Sequence, residues 1–141
     1  MIPGVNGDSS GYLVQGTARH AIEKGFNILV ANPLAPPDSA QEEDLELIDY
    51  TKHFPLTQAI KTMRDLFGQD CEIYAFGFSL GSNHLLRHIG AHPDCEKICR
   101  IKAVVSISGA FDVPTTGIEL QYSTFGLYDS FILDGVRSHF T

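Results

Sequence analysis

The chain has 141 residues, enough for one domain with a real core and too few for two comfortable ones. Hydrophobic residues make up 43% and charged residues 19%, ordinary proportions for a globular protein. The formal net charge of −7 argues against nucleic acid, whose phosphates demand a basic surface. No apolar run approaches the roughly 18 residues of a membrane span, and the opening residues lack the basic start and apolar stretch of a secretory signal. The three cysteines, Cys71, Cys95 and Cys99, are odd in number and have no C-x-x-C spacing, which fits reduced thiols better than a disulfide framework.

Strand-like and helix-like segments alternate along the chain, a pattern that builds a mostly parallel sheet flanked by helices, an α/β fold. A first helix is predicted over residues 12–24, capped by Asp8, Ser9 and Ser10 and ended by Gly25. Leu13, Val14, Ala18, Ala21 and Ile22 form its apolar stripe. Residues 26–31 read as a short buried strand. Residues 32–54, with Pro33, Pro36, Pro37 and the acidic run at 42–44, read as a surface excursion with one helical turn near 45–50. Such an excursion either borders a site or is a solvated linker.

Pro55 suits the first turn of a second helix, with Ala59, Ile60, Met63, Leu66 and Phe67 inward. Gly68, Gln69 and Asp70 turn the chain into a strand over 71–76. A third helix over 79–91 carries Leu80, Leu85, Leu86 and Ile89. A strand over 101–108 follows, rich in β-branched residues. After residues 112–117 the pattern turns helical, with Leu120, Phe125, Leu127, Phe131, Leu133 and Val136 in a rough stripe.

Gly77-Phe78-Ser79-Leu80-Gly81 matches G-x-S-x-G, in which a serine on a sharp strand-to-helix turn stands clear of a sheet. The flanking glycines let strand and helix approach, and the helix directs its positive N-terminal end at a developing oxyanion. Five residues with three fixed positions arise by chance in many proteins. Here, however, a predicted strand precedes Ser79 and a predicted helix follows it. Pro3-Gly4-Val5-Asn6-Gly7 lies ahead of the first helix, where a hydrolase of this kind places its oxyanion loop. The backbone N–H groups of Val5 and Leu80 are the candidate oxyanion donors; a plain glycine turn is the other reading of that loop.

These segments resemble the AB hydrolase 4 family of the α/β-hydrolase fold, which includes abhydrolase-domain esterases and monoacylglycerol lipases. Residues 3–7, Tyr12, Gly25-Phe26 and Val30-Ala31-Asn32 are similar to its oxyanion loop, helix and next strand. Residues 77–83 with Leu85, Leu86, Ile89 and Gly90 are similar to its elbow and following helix, and 103–106 through Phe111-Asp112 to the next strand and its exit. The family's loop commonly begins Asn-x-Arg-Gly, whereas here it reads Asn32-Pro33-Leu34-Ala35. The resemblance implies a single partial α/β-hydrolase domain over 1–141. Its triad acid and histidine belong beyond Thr141. Of the strand leading into Pro3, only Met1 and Ile2 are present, between the strands at 26–31 and 71–76.

Six histidines could supply a base. His84, His88 and His92 recur every four residues, the spacing of a helix-face metal site. With no acidic third ligand at a suitable spacing, a solvated helix face is the expectation and no metal is implied. His139 comes late enough in the chain for a triad base, but the family register puts it in a helix before the true histidine. His20 and His53 complete the set. Asp112 is read as a turn-forming aspartate, although some hydrolases of this fold carry their acid there.

The resulting expectation is a serine hydrolase of carboxylic, lipid-like esters, with Ser79 as nucleophile and no cofactor. The resemblance implies a small ester or lipid substrate, and membrane association only through segments outside this sequence. A non-catalytic hydrolase-like binding module is the alternative. Peptidase or acyltransferase chemistry on the same turn is not separable from esterase chemistry by sequence.

Overall fold

The computed structural model describes residues 1–32, 56–92 and 100–137. It is a mixed α/β arrangement: α1 (Tyr12–Glu23), α2 (Leu56–Phe67), β1 (Ile73–Phe78), α3 (Leu80–Ala91), β2 (Ile101–Ile107), α4 (Val113–Tyr122) and α5 (Leu127–Arg137). A short 3-10 turn, Ser123–Gly126, joins the last two helices. The excursion expected over 32–54 lies, from residue 33 on, outside the described residues, as do Pro55, Cys95, Cys99 and His139.

The strands β1 and β2 pair in parallel, with Tyr74 opposite Ala103 and Phe78 opposite Ile107. α3 lies on the connection between them. Ile2 forms a parallel bridge to Gly77, its N–H donating to the Phe76 carbonyl at 2.8 Å and its carbonyl accepting from the Phe78 N–H at 3.1 Å. On the other side, the Met1 amino group donates to the Leu29 carbonyl at 2.7 Å, and the Ala31 N–H donates to the Met1 carbonyl at 2.9 Å. The two bonds bracket Val30 as parallel pairing requires. Met1 and Ile2 therefore sit between 29–31 and β1, in the expected place.

Residues 26–31 are not a strand, which corrects the expectation for them. Among the described residues their only strand-like partner is Met1, and one residue cannot sustain a ladder. Phe26 is accordingly exposed. Strand β1 starts two residues later than predicted because Cys71 still belongs to the turn, its N–H donating to the Gly68 carbonyl at 3.1 Å.

The core is one cluster: Ile2, Leu56, Ile60, Ile73, Leu85 and Ile101. It joins α2 and α3 to one face of the sheet. Tyr74 and Phe76 point the other way by strand alternation, sharing a cavity with Thr17 and Ala21 of α1. The α1 stripe is only partly used. Val14 is buried, but Leu13 and Ile22 are 59% and 60% exposed, since so narrow a sheet covers only the middle of the helix. Nor do Ser9 and Ser10 cap α1. The Asp8 carboxylate takes the Ser10 N–H at 2.7 Å and the Ser10 hydroxyl at 2.6 Å, and Gly11 stands at the N-cap without a side-chain bond. Gly25, at φ 87°, ends the helix as expected. Among the described residues no helix is long and apolar enough to cross a membrane.

Candidate active site

Ser79 joins β1 to α3 with φ 47° and ψ −120°. That pair lies outside all three regions open to an L-residue and costs about 1–3 kcal/mol, tolerable only where the surroundings over-determine it. Several contacts do so. The Ser79 N–H donates to the Ile107 carbonyl at 2.8 Å, and the Ser79 carbonyl accepts from the Ser82 N–H at 2.9 Å. A Cβ on Gly77 would stand 2.7 Å from the Gly81 carbonyl oxygen and from the Ser82 backbone. A Cβ on Gly81 would overlap the carbonyl oxygens of Ile2 and Pro3. The turn is thus wedged against the first residues of the chain, and Ser79 remains exposed to solvent.

The 3–7 loop lies against the serine. A Cβ on Gly4 would be 3.0 Å from Ser79 Cβ and 3.6 Å from its Oγ. The loop is a tight turn, with the Gly7 N–H donating to the Gly4 carbonyl at 3.1 Å and Asn6 at φ 56°. Leu80 opens α3, so its N–H is one of the first-turn donors that no helical carbonyl can take. The Val5 N–H meets no backbone acceptor among the described residues. The structure therefore brings together Ser79 and the two segments carrying the candidate donors.

Two residues that sequence reasoning did not assign a role hold this turn. Ser82 is fully buried. Its Oγ lies 2.6 Å from the Gly77 carbonyl and 3.0 Å from the Ile107 carbonyl, and accepts the Ile107 N–H at 3.1 Å. The Asn83 side chain pairs with Ala110 in both directions, at 2.7 and 3.0 Å. Helical spacing was the available signal, because Ser82 lies three residues from Leu85 on the inward stripe.

The histidine expectation needs correction. His84 and His88 are 8% and 4% exposed, not part of a solvated face. They lie one turn apart on the side of α3 that packs inward. Burial, and then the nearby Arg87 charge, push the His84 imidazole below its ordinary pKa. The His88 and His92 rings stand 4.7 Å apart, and no group of three or more potential ligands forms a metal site among the described residues. His20 is exposed on α1, 3.8 Å from Glu23.

Asp112 caps α4. Its carboxylate accepts the Thr115 N–H at 3.0 Å and the Thr115 hydroxyl at 2.7 Å, and these bonds hold its pKa below 3.8. A folded-state pKa below the unfolded one means that the ionised cap stabilises fully above the ordinary value and fades as pH falls through the lowered one. Asp112→Asn keeps a capping acceptor without the charge. The gap in thermal midpoint between wild type and variant is expected to shrink as pH drops from 6 towards 3, as thermal scans by circular dichroism would read.

Comparison with protein-family models, with curated proteins and with solved structures found no match.

Proposed function

We propose that the chain carries the nucleophile of a serine hydrolase acting on carboxylic esters, with Ser79 as the attacking residue. The carrying observation is the Ser79 backbone: a strained, exposed serine at a strand-to-helix turn, fixed by glycine contacts on both sides. The lateral order 29–31, 1–2, β1 and β2 agrees with the α/β-hydrolase reading. The preference for lipid-like esters rests on the resemblance alone.

In this reading Ser79 Oγ attacks the ester carbonyl carbon and passes its proton to a histidine base. The alcohol leaves with that proton, and water then releases the acid from the acyl-enzyme. The Val5 and Leu80 N–H groups hold the oxyanion, each such donor contributing about 3–4 kcal/mol to the transition state.

The test is fluorophosphonate labelling of the longest natural form, with mass spectrometry to locate the adduct. Labelling at Ser79 and a loss of esterase activity on Ser79→Ala by a factor of about 10⁴ or more are expected. The alternative, a non-catalytic binding module, makes the opposite expectation in the same test. A folded long form that resists the probe would establish that reading instead.

A further inference from the structure

The 3–7 loop touches α5 as well as the turn at Ser79. The Asn6 Nδ2 group donates to the Ile132 carbonyl at 3.0 Å, and a carbonyl within a helix has a second lone pair with which to accept it. A Cβ on Gly135 would overlap Asn6 Nδ2 and come within 2.6 Å of Asn6 Cγ. Ile132 and Gly135 stand three residues apart, on one face of the helix. Gly135 has a helical backbone inside α5, where glycine costs stability against alanine. The close approach of Asn6 accounts for glycine at that position.

Asn6 Oδ1 is buried and meets no hydrogen-bond partner among the described residues. Turning the amide over would set that oxygen against the Ile132 carbonyl, so only one orientation serves the contact. A buried amide left half-satisfied calls for an account beyond packing. The geometry of the loop supplies one. The Gly7 N–H, donating to the Gly4 carbonyl at 3.1 Å, closes residues 4–7 into a single turn with Val5 at its second position. Whatever fixes Asn6 therefore also fixes the direction of the Val5 N–H.

We propose that Asn6 is a positioning residue, through which α5 holds the Val5 N–H towards the oxyanion that forms at Ser79. The proposal rests on the serine-hydrolase reading above. Gly4 meets Ser79 at one end of the turn, and a single contact through a glycine leaves the turn free to swing about it. Asn6 supplies the second anchor, and two anchors set an orientation. An oxyanion donor acts at about 3 Å, so a swing of about 1 Å takes the Val5 N–H out of range. Asparagine suits the position twice. It tolerates the positive φ of 56°, and its amide reaches the helix.

The experiment labels the longest natural form with an alkyl fluorophosphonate and separates the labelling rate constant from the final fraction labelled. Asn6→Gly keeps the positive φ and removes the side chain, and Asn6→Asp keeps the shape and removes the N–H donor. Wild type is expected to label at Ser79. Both variants are expected to reach the same final fraction with rate constants lower by about 10- to 100-fold, part of the loss that removing a whole donor gives. A loss confined to the final fraction, as a merely structural role produces, overturns the proposal. So do rate constants within about twofold of wild type. Thermal midpoints test the contact apart from any activity. Gly135→Ala is expected to lower the midpoint in wild type and to raise it in the Asn6→Gly background, where the added methyl group has space. The same sign in both backgrounds overturns the contact and the proposal with it. A folded wild type that takes no label at Ser79 overturns the hydrolase reading, and this role falls with it even where the midpoints reverse.

Discussion

Gly81→Ala is expected to destabilise the protein by about 2 kcal/mol, although alanine is the better helix former. Gly81 lies in the first turn of α3, where exchanging glycine for alanine would by itself contribute about 1 kcal/mol of helix stability. The new methyl group, however, meets the carbonyl oxygens of Ile2 and Pro3. Neither is the free end of a flexible side chain, so relief requires moving the backbone at the start of the chain. Overpacking of that kind costs up to about 3 kcal/mol, and the clash wins. Gly90, on the same helix, has nothing within 4 Å of a built Cβ. Gly90→Ala should therefore stabilise by up to about 1 kcal/mol. Urea unfolding of the pair reads the opposite signs directly, and equal effects at the two positions would show that α3 does not rest on Ile2 and Pro3.

Ser82→Ala is expected to cost about 1–2 kcal/mol, from the loss of the buried hydrogen bonds of its hydroxyl. The variant removes one hydroxyl, which bonds the Gly77 carbonyl and accepts the Ile107 N–H alongside the β1–β2 ladder. Restoring bulk does not help, because a Cβ on Gly109 would already come within 2.7 Å of Ser82 Cβ and the space for a larger side chain is closed. The effect should be local. Amide exchange at Ile107 is expected to accelerate strongly, while exchange in the middle of α1 changes only with the global loss of stability. A Ser82→Ala protein as stable as wild type would mean that the hydroxyl does not couple the turn to β2.

Much of this was legible in the sequence, for reasons that differ from element to element. Helices α1, α2 and α3 follow from their apolar spacing and bounding glycines, to within a residue or two. Strands β1 and β2 follow from short apolar runs next to turn residues. The turn at Ser79 was legible because glycine spacing and flanking pattern agreed. What failed involved partners far away in the chain. Residues 26–31 have strand composition, yet a strand needs a neighbour, and among the described residues theirs is one residue long. His84 and His88 look polar along the helix but fall on its packed side. The break between α4 and α5 runs through Thr124 and Phe125 at positive φ, a conformation no sequence signal announces for a bulky residue. The need for glycine at position 81 comes from Ile2 and Pro3, and no local pattern encodes that contact.

The same contact has a consequence for the order of folding. β1, α3 and β2 are near neighbours in sequence and close a short loop, whereas Ile2 must return across most of the preceding chain to reach Gly77. Closing the longer loop carries the larger entropic cost, so the local unit is expected to assemble first and Ile2 and Pro3 to dock last. Until they dock, Gly81 has nothing packed against it and Ser79 is free to relax towards an ordinary backbone conformation. The strained turn is in that sense the last part of the molecule to lock, and displacing Ile2 and Pro3 is enough to release it.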